Sequence, residues 1–134
     1  MTYVLDTNII SYFLNKDLEV RSAFKQAVSE GNDFAVSPVV YYEIKRWLVL
    51  KNATAKLKAF EELLLKSIKS DLTVWTWEKA VDIYVALHKK GQPVDDSDIM
   101  IAAFCIVNDY TLVTNNTKHF QNIDELKITN WKNN

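Results

Sequence analysis

The chain is short of several residue types, and each shortage excludes something. A single cysteine, Cys105, in 134 residues rules out an internal disulfide and fits a reducing compartment, so a cytoplasmic protein is expected. The two histidines, His88 and His119, stand outside the acidic motifs, and no zinc site is expected from them. Two glycines and two prolines leave little material for turns and breaks, which points to a compact, helix-rich domain. No apolar run approaches the ~18–20 residues needed to cross a membrane. No charged start followed by an apolar segment marks a secretion signal either. Charge of one sign is missing as well: 16 Lys and Arg oppose 17 Asp and Glu, so bulk charge gives no argument for nucleic-acid binding.

What is present is ordinary globular material, 49% hydrophobic and 25% charged. Residues 1–134 match the ~100–150 residues of one domain, long enough to bury roughly two-thirds of the unfolded surface. Charge is unevenly spread. Between Ile44 and Lys69 stand Lys45, Arg46, Lys51, Lys56, Lys58, Lys66 and Lys69 against only Glu61 and Glu62. Between Asp71 and Asp98 six acids face Lys79, Lys89 and Lys90. A basic arm and a separate acidic cluster suit a polyanion at one place and a cation at another.

Tyr3-Val4-Leu5 reads as a strand that stops at Asp6-Thr7-Asn8, with a helix from about Asn8. A helix over 18–30 is closed by Gly31, a strand covers 33–36, and Ser37-Pro38 starts a helix running past Glu43 to about Leu50. Leu57, Phe60, Leu64 and Ile68 recur at helical spacing over 54–67. Leu72 to Trp75 reads as a short strand, with Thr76 capping a helix over 77–90. Asp96 or Ser97 caps a helix over 98–107 that is apolar on nearly every side and therefore central. Strands follow over 111–114 and, at an edge, 127–129. Strands alternating with helices imply an α/β fold, a three-layer α/β/α sandwich on a mostly parallel sheet. Ligands of such sheets bind beyond the carboxyl ends of the strands, where Asp6 and Asn115-Asn116 fall.

Asp6, Glu43, the Asp95-Asp96-Ser97-Asp98 cluster and Asn116 each lie at a strand end or in the first turns of a helix. Singly they read as caps, turn residues or solvated helix positions. Gathered in one concave site, the carboxylates would repel and be driven toward protonation without a cation. A hard divalent ion suits Asp, Glu and Asn donors without His or Cys, and it can activate water against a phosphodiester. Lys45 and Arg46, two and three residues after Glu43, and Lys51 could meet the phosphates of a polyanion, or else form a solvated face or a protein-binding surface. His119 could touch a phosphate or pack beside Phe120; Cys105 and most of the four tryptophans read as packing residues.

Val4-Leu5-Asp6-Thr7-Asn8, Ser37-Pro38-Val39-Val40 leading to Glu43, Asp98-Ile99-Met100-Ile101-Ala102-Ala103, and Leu112-Val113-Thr114-Asn115-Asn116 with Lys118-His119-Phe120 occur in this order. Together they resemble the PIN-domain ribonucleases, particularly the VapC-like toxins of type II toxin–antitoxin pairs, over nearly the whole chain. The resemblance implies an α/β/α sandwich, endoribonuclease activity dependent on Mg²⁺ or Mn²⁺, a small cognate antitoxin and a homodimer. It makes Asp6 and Asp98 the primary metal-binding acids, Glu43 the third and Asp96 an extra one. Many family members carry an acid around the place of Asn116; the amide here can bind a metal through its carbonyl but brings no charge. Thr7 or Asn8, with Thr114, supply hydrogen-bonding support. Two other readings stay open: a PIN-like binding module whose site has decayed, and a phosphotransferase that uses Asp6 as a phosphoaspartate.

Overall fold

In the computed structural model, which describes residues 1–133, the chain runs β1 (Thr2–Leu5), α1 (Thr7–Leu14), α2 (Leu18–Ser29), β2 (Asp33–Ala35), α3 (Pro38–Leu50), α4 (Thr54–Lys66), α5 (Val74–Lys89), α6 (Asp96–Asn108), β3 (Thr111–Val113), α7 (Thr117–Phe120) and β4 (Lys127–Thr129). All pairings in the four-stranded sheet are parallel, in the order β2-β1-β3-β4. Val4 and Leu5 are 0% and 1% exposed. Successive strand residues point to opposite faces, so both faces of the sheet are covered by helices, and the molecule is a three-layer sandwich.

Local chemistry explains most element boundaries. The carboxylate of Asp17 accepts the Val20 N–H at 3.0 Å and starts α2; the hydroxyl of Ser37 accepts the Val40 N–H at 3.2 Å and, with Pro38 as first residue, starts α3. Just past α2, Gly31 takes the left-handed φ of 88° that releases the chain toward β2. Along α6, Ile99, Ile101, Ala102, Ala103, Phe104 and Cys105 are all buried, as its apolar surround predicts. This helix packs against both α3 and α5. Among the described residues, no helix is long and apolar enough to cross a membrane.

Three expectations need correction. Residues 72–75 do not form a strand: α5 begins at Val74, and Thr76, expected as a cap, is buried inside its first turn. The backbone N–H of Thr73 donates to Thr76 Oγ1 at 3.2 Å, a local helix-starting bond that overrides the β-type residues around it. The outer edge of β2 pairs instead with Ile68, through one isolated bridge to Ala35. Helix α6 starts two residues earlier than read, with Asp95 in the cap position. The short α7 was not anticipated; its anchor is Phe120, which is fully buried.

The order of the strands decides where a site can form. From β1 the chain moves to β2 on one side, then crosses back past β1 to reach β3 and β4 on the other. Connections therefore diverge between β1 and β3, leaving a crevice beyond their carboxyl ends. Leu5 pairs with Val113 at that end. The next residues on each strand, Asp6 and Thr114, face each other across the crevice.

Candidate active site

Asp6 continues the sheet, its N–H donating to the Val113 carbonyl at 3.0 Å, before its side chain caps α1. Both carboxylate oxygens are fixed: Oδ1 accepts the Thr7 N–H at 2.8 Å, while Oδ2 accepts the Thr114 hydroxyl at 2.8 Å and Asn8 Nδ2 at 3.3 Å. Thr114 Oγ1 in turn accepts the Asn116 N–H at 3.0 Å, and Asn8 Oδ1 accepts the Asn115 N–H at 3.0 Å. Asp6 is 5% exposed. Burial pushes its carboxyl above the ordinary value despite the hydrogen bonds from Thr114, Thr7 and Asn8.

Asp98 sits in the first turn of α6, half-buried. Its carboxyl is also raised, first by burial and then by the negative charge of Asp6; His119, with Nδ1 3.3 Å from Asp98 Oδ2, works the other way. The two aspartates thus stand within electrostatic reach of each other. Glu43 joins from α3, where its Oε1 accepts the Thr7 hydroxyl at 3.2 Å. The structure therefore gathers Asp6, Asp98, Glu43, Thr7, Asn8, Thr114 and His119 around one crevice.

Other expected residues enter differently or stay outside. Asp96 opens α6 as an exposed residue, and the neighbouring charge that acts on Asp98 is that of Asp95. Asn116 is exposed and takes part through its backbone, its N–H on Thr114 and its carbonyl accepting the His119 N–H at 3.0 Å. Lys45 donates to the Tyr41 hydroxyl at 3.1 Å, and the Arg46 guanidinium lies over the Tyr42 ring at 4.8 Å. Neither side chain meets the crevice acids, and Lys45 also lies 4.0 Å from Glu61 Oε1 on α4. Asn115 was missed as a support. Its Nδ2 donates to the Tyr12 hydroxyl at 3.2 Å and its Oδ1 accepts from Asn130 at 3.1 Å, tying the loop after β3 to α1 and to the segment after β4. The Asn-Asn pair directly after a buried strand was the available signal for it.

Among the described residues, no three of the His, Cys, Asp and Glu side chains form a group that could enclose an ion by themselves. The donor chemistry nevertheless fits a hard divalent cation. Two carboxylates, each raised by burial and with Asp98 raised further by Asp6, are relieved only in part by His119. An ion of the Mg²⁺ kind needs only one or two carboxylates, taking waters and phosphate oxygens for the rest.

A three-layer parallel α/β protein with carboxylates gathered at the switch point of its sheet is the class that fold and site define. The chain belongs to the PIN domain family, whose profile matches residues 3–126. It is 29% identical over 136 residues to "Ribonuclease VapC2" of Rickettsia felis, covering 98% of each chain. Among solved structures it resembles VapBC2 from Rickettsia felis bound to a promoter DNA fragment, with TM-score 0.87, 27% identity and coverage of 98% of this chain and 100% of that one. It also resembles DNA-bound VapBC from Salmonella typhimurium, with TM-score 0.86, 25% identity and coverage of 98% and 99%.

Proposed function

We propose that the protein is an endoribonuclease, the toxin of a type II toxin–antitoxin pair, hydrolysing RNA phosphodiester bonds with Mg²⁺ or Mn²⁺ held at Asp6 and Asp98. The observation that carries this reading is the approach of these two aspartates, one from the end of β1 and one from the start of α6, at the crevice between β1 and β3. The similarity to a relative named a ribonuclease supports the substrate, and the VapBC complexes among the similar structures support an antitoxin partner. We read the protein as a cytoplasmic homodimer.

When bound, the cation supplies charge neutralisation at phosphorus and a more acidic water. The chain's own residues prepare the place for it. Thr7, Asn8 and Thr114 hold both oxygens of Asp6 in one orientation, so the carboxylate needs no rearrangement as charge develops on the phosphate. Asp98 presents its carboxylate from a helix N-terminus. Glu43, oriented by the Thr7 hydroxyl, is the group that takes the proton from the attacking water. Lys45 and Arg46 meet phosphates farther along the RNA.

Purified wild-type protein, Asp6→Asn and Asp98→Asn are compared for RNA cleavage with Mg²⁺ or Mn²⁺, with circular dichroism to establish folding. Cleavage should be abolished in both variants while the fold persists. Full activity in either refutes the assignment, and absence of metal binding in the wild type by calorimetry would favour a binding module without catalysis.

A further inference from the structure

Asn8 can serve Asp6 in only one of its two amide orientations. Its Nδ2 donates to Asp6 Oδ2 at 3.3 Å and to Thr114 Oγ1 at 3.4 Å, while its Oδ1 accepts the Asn115 N–H at 3.0 Å. Turned over, the same amide would set an oxygen against the carboxylate. The Asn115 N–H selects between the two, so whatever fixes the backbone at Asn115 also fixes a donor to Asp6.

Asn115 is half-buried, and its side chain spans two elements: Nδ2 donates to the Tyr12 hydroxyl on α1 at 3.2 Å, and Oδ1 accepts from Asn130 Nδ2 at 3.1 Å. Asn130 is exposed, yet the segment it belongs to is anchored. Its Oδ1 accepts the Lys132 N–H at 2.9 Å, and Lys132 Nζ lies 2.6 Å from Asp17 Oδ2. Between them the Trp131 ring meets Tyr3 and Phe24 with centroids 5.4 and 6.2 Å away. The segment after β4 is thereby pinned to β1 and to α2, and it holds Asn130 against the loop that carries Asn115. We propose that Asn115 is a positioning residue for RNA cleavage and that Asn130 holds it in place, the pair acting through the orientation of the Asn8 amide on Asp6. This rests on the reading of Asp6 as part of the nuclease site. A donor set beforehand needs no reorganisation when charge develops there.

The test uses the full-length protein with saturating Mn²⁺ and measures kcat and KM for RNA cleavage. Wild type is compared with Asn115→Ala, Asn130→Ala, Asn8→Ala and the double variants that combine Asn8→Ala with each of the other two; thermal melting establishes that each is folded. Asn115→Ala should lower kcat about tenfold with KM nearly unchanged. Asn130→Ala should lower kcat about threefold, the effect of one exposed hydrogen bond. In the Asn8→Ala background neither should lower kcat further, because the amide through which they act is gone. Losses that multiply with that of Asn8→Ala overturn the proposal, as does wild-type kcat in Asn115→Ala. Should Asn115→Ala not fold, Asn130→Ala and Tyr12→Phe decide by the same comparison with Asn8→Ala. The nuclease reading fails separately: if the wild type cleaves no RNA, or Asp6→Asn keeps full activity, the site is not at Asp6 and the role of Asn115 falls with it.

Discussion

The hydroxyl of Thr114 donates to Asp6 Oδ2 at 2.8 Å across a sequence separation of 108 residues. It joins the ends of the two central strands and orients the buried carboxylate. The same oxygen accepts the Asn116 N–H, so one small side chain organises both sides of the crevice.

Replacing Thr114 with Val keeps the volume and removes the hydroxyl. Asp6 then loses a donor and the Asn116 N–H loses its acceptor. Urea unfolding should show a loss of about 1–3 kcal/mol. RNA cleavage should fall by roughly tenfold or more, as for removal of an orienting hydrogen bond at a metal site. Wild-type activity in Thr114→Val would show that Asp6 does not need this orientation.

The raised carboxyls of Asp6 and Asp98 carry a definite pH signature. Their folded-state values lie above the unfolded ones, so the native state retains protons that the unfolded chain has released. Stability of the metal-free protein therefore falls as pH rises through that window, and the cost persists above it. Asp98→Asn should melt higher than the wild type at pH 7 without metal, with the difference vanishing below the ordinary carboxylate range. Added Mn²⁺ should raise the melting temperature of the wild type more than that of the variant. Thermal scans at several pH values check both.

Lys132 reaches from the end of the chain to Asp17 at 2.6 Å and to Glu19 at 3.5 Å, beside the start of α2. The Lys132 hydrogen bond holds Asp17 below its ordinary value, and Asp17 raises Lys132. Asp17's contribution is therefore present above its unfolded pKa and lost as pH falls through the lower folded value. Lys132's is present below its unfolded pKa and lost as pH rises through the higher folded one. Lys132→Met should lower the melting temperature at neutral pH, with the difference shrinking toward both extremes. A difference independent of pH would mean that packing on Tyr12, whose ring lies 5.0 Å from Lys132 Nζ, matters more than charge.

On α3, Lys45, Arg46 and Lys51 each lie over an aromatic ring, Tyr41, Tyr42 and Trp47 respectively. Neutralising all three should weaken RNA binding and flatten its dependence on salt, because fewer counterions are released from the phosphates. Binding isotherms at several salt concentrations measure that slope. An unchanged slope would remove these residues from the RNA path.

Much of this molecule was legible along the chain. Asp6 before α1, Ser37-Pro38 before α3, Gly31 after α2 and the apolar surround of α6 act over a few residues, through caps, backbone restrictions and periodic burial. The alternation of such elements was enough for a parallel sandwich and for acids at its carboxyl edge. Where local signals competed, the reading failed: Leu72 to Trp75 has β-type residues, but the bond between Thr73 and Thr76 made it the start of a helix.

Tertiary structure alone decided which distant groups meet. The approach of Asp98 to Asp6, the bond from Thr114 to Asp6, the contact of His119 with Asp98 and the action of Asp95 rather than Asp96 all follow from strand order and from the rotation of α6 and α7 about their buried residues. Residue type and spacing specify elements because caps and periodic burial work over one or two turns. The partners of a side chain across the crevice depend on how whole elements pack, which no short stretch of the chain encodes.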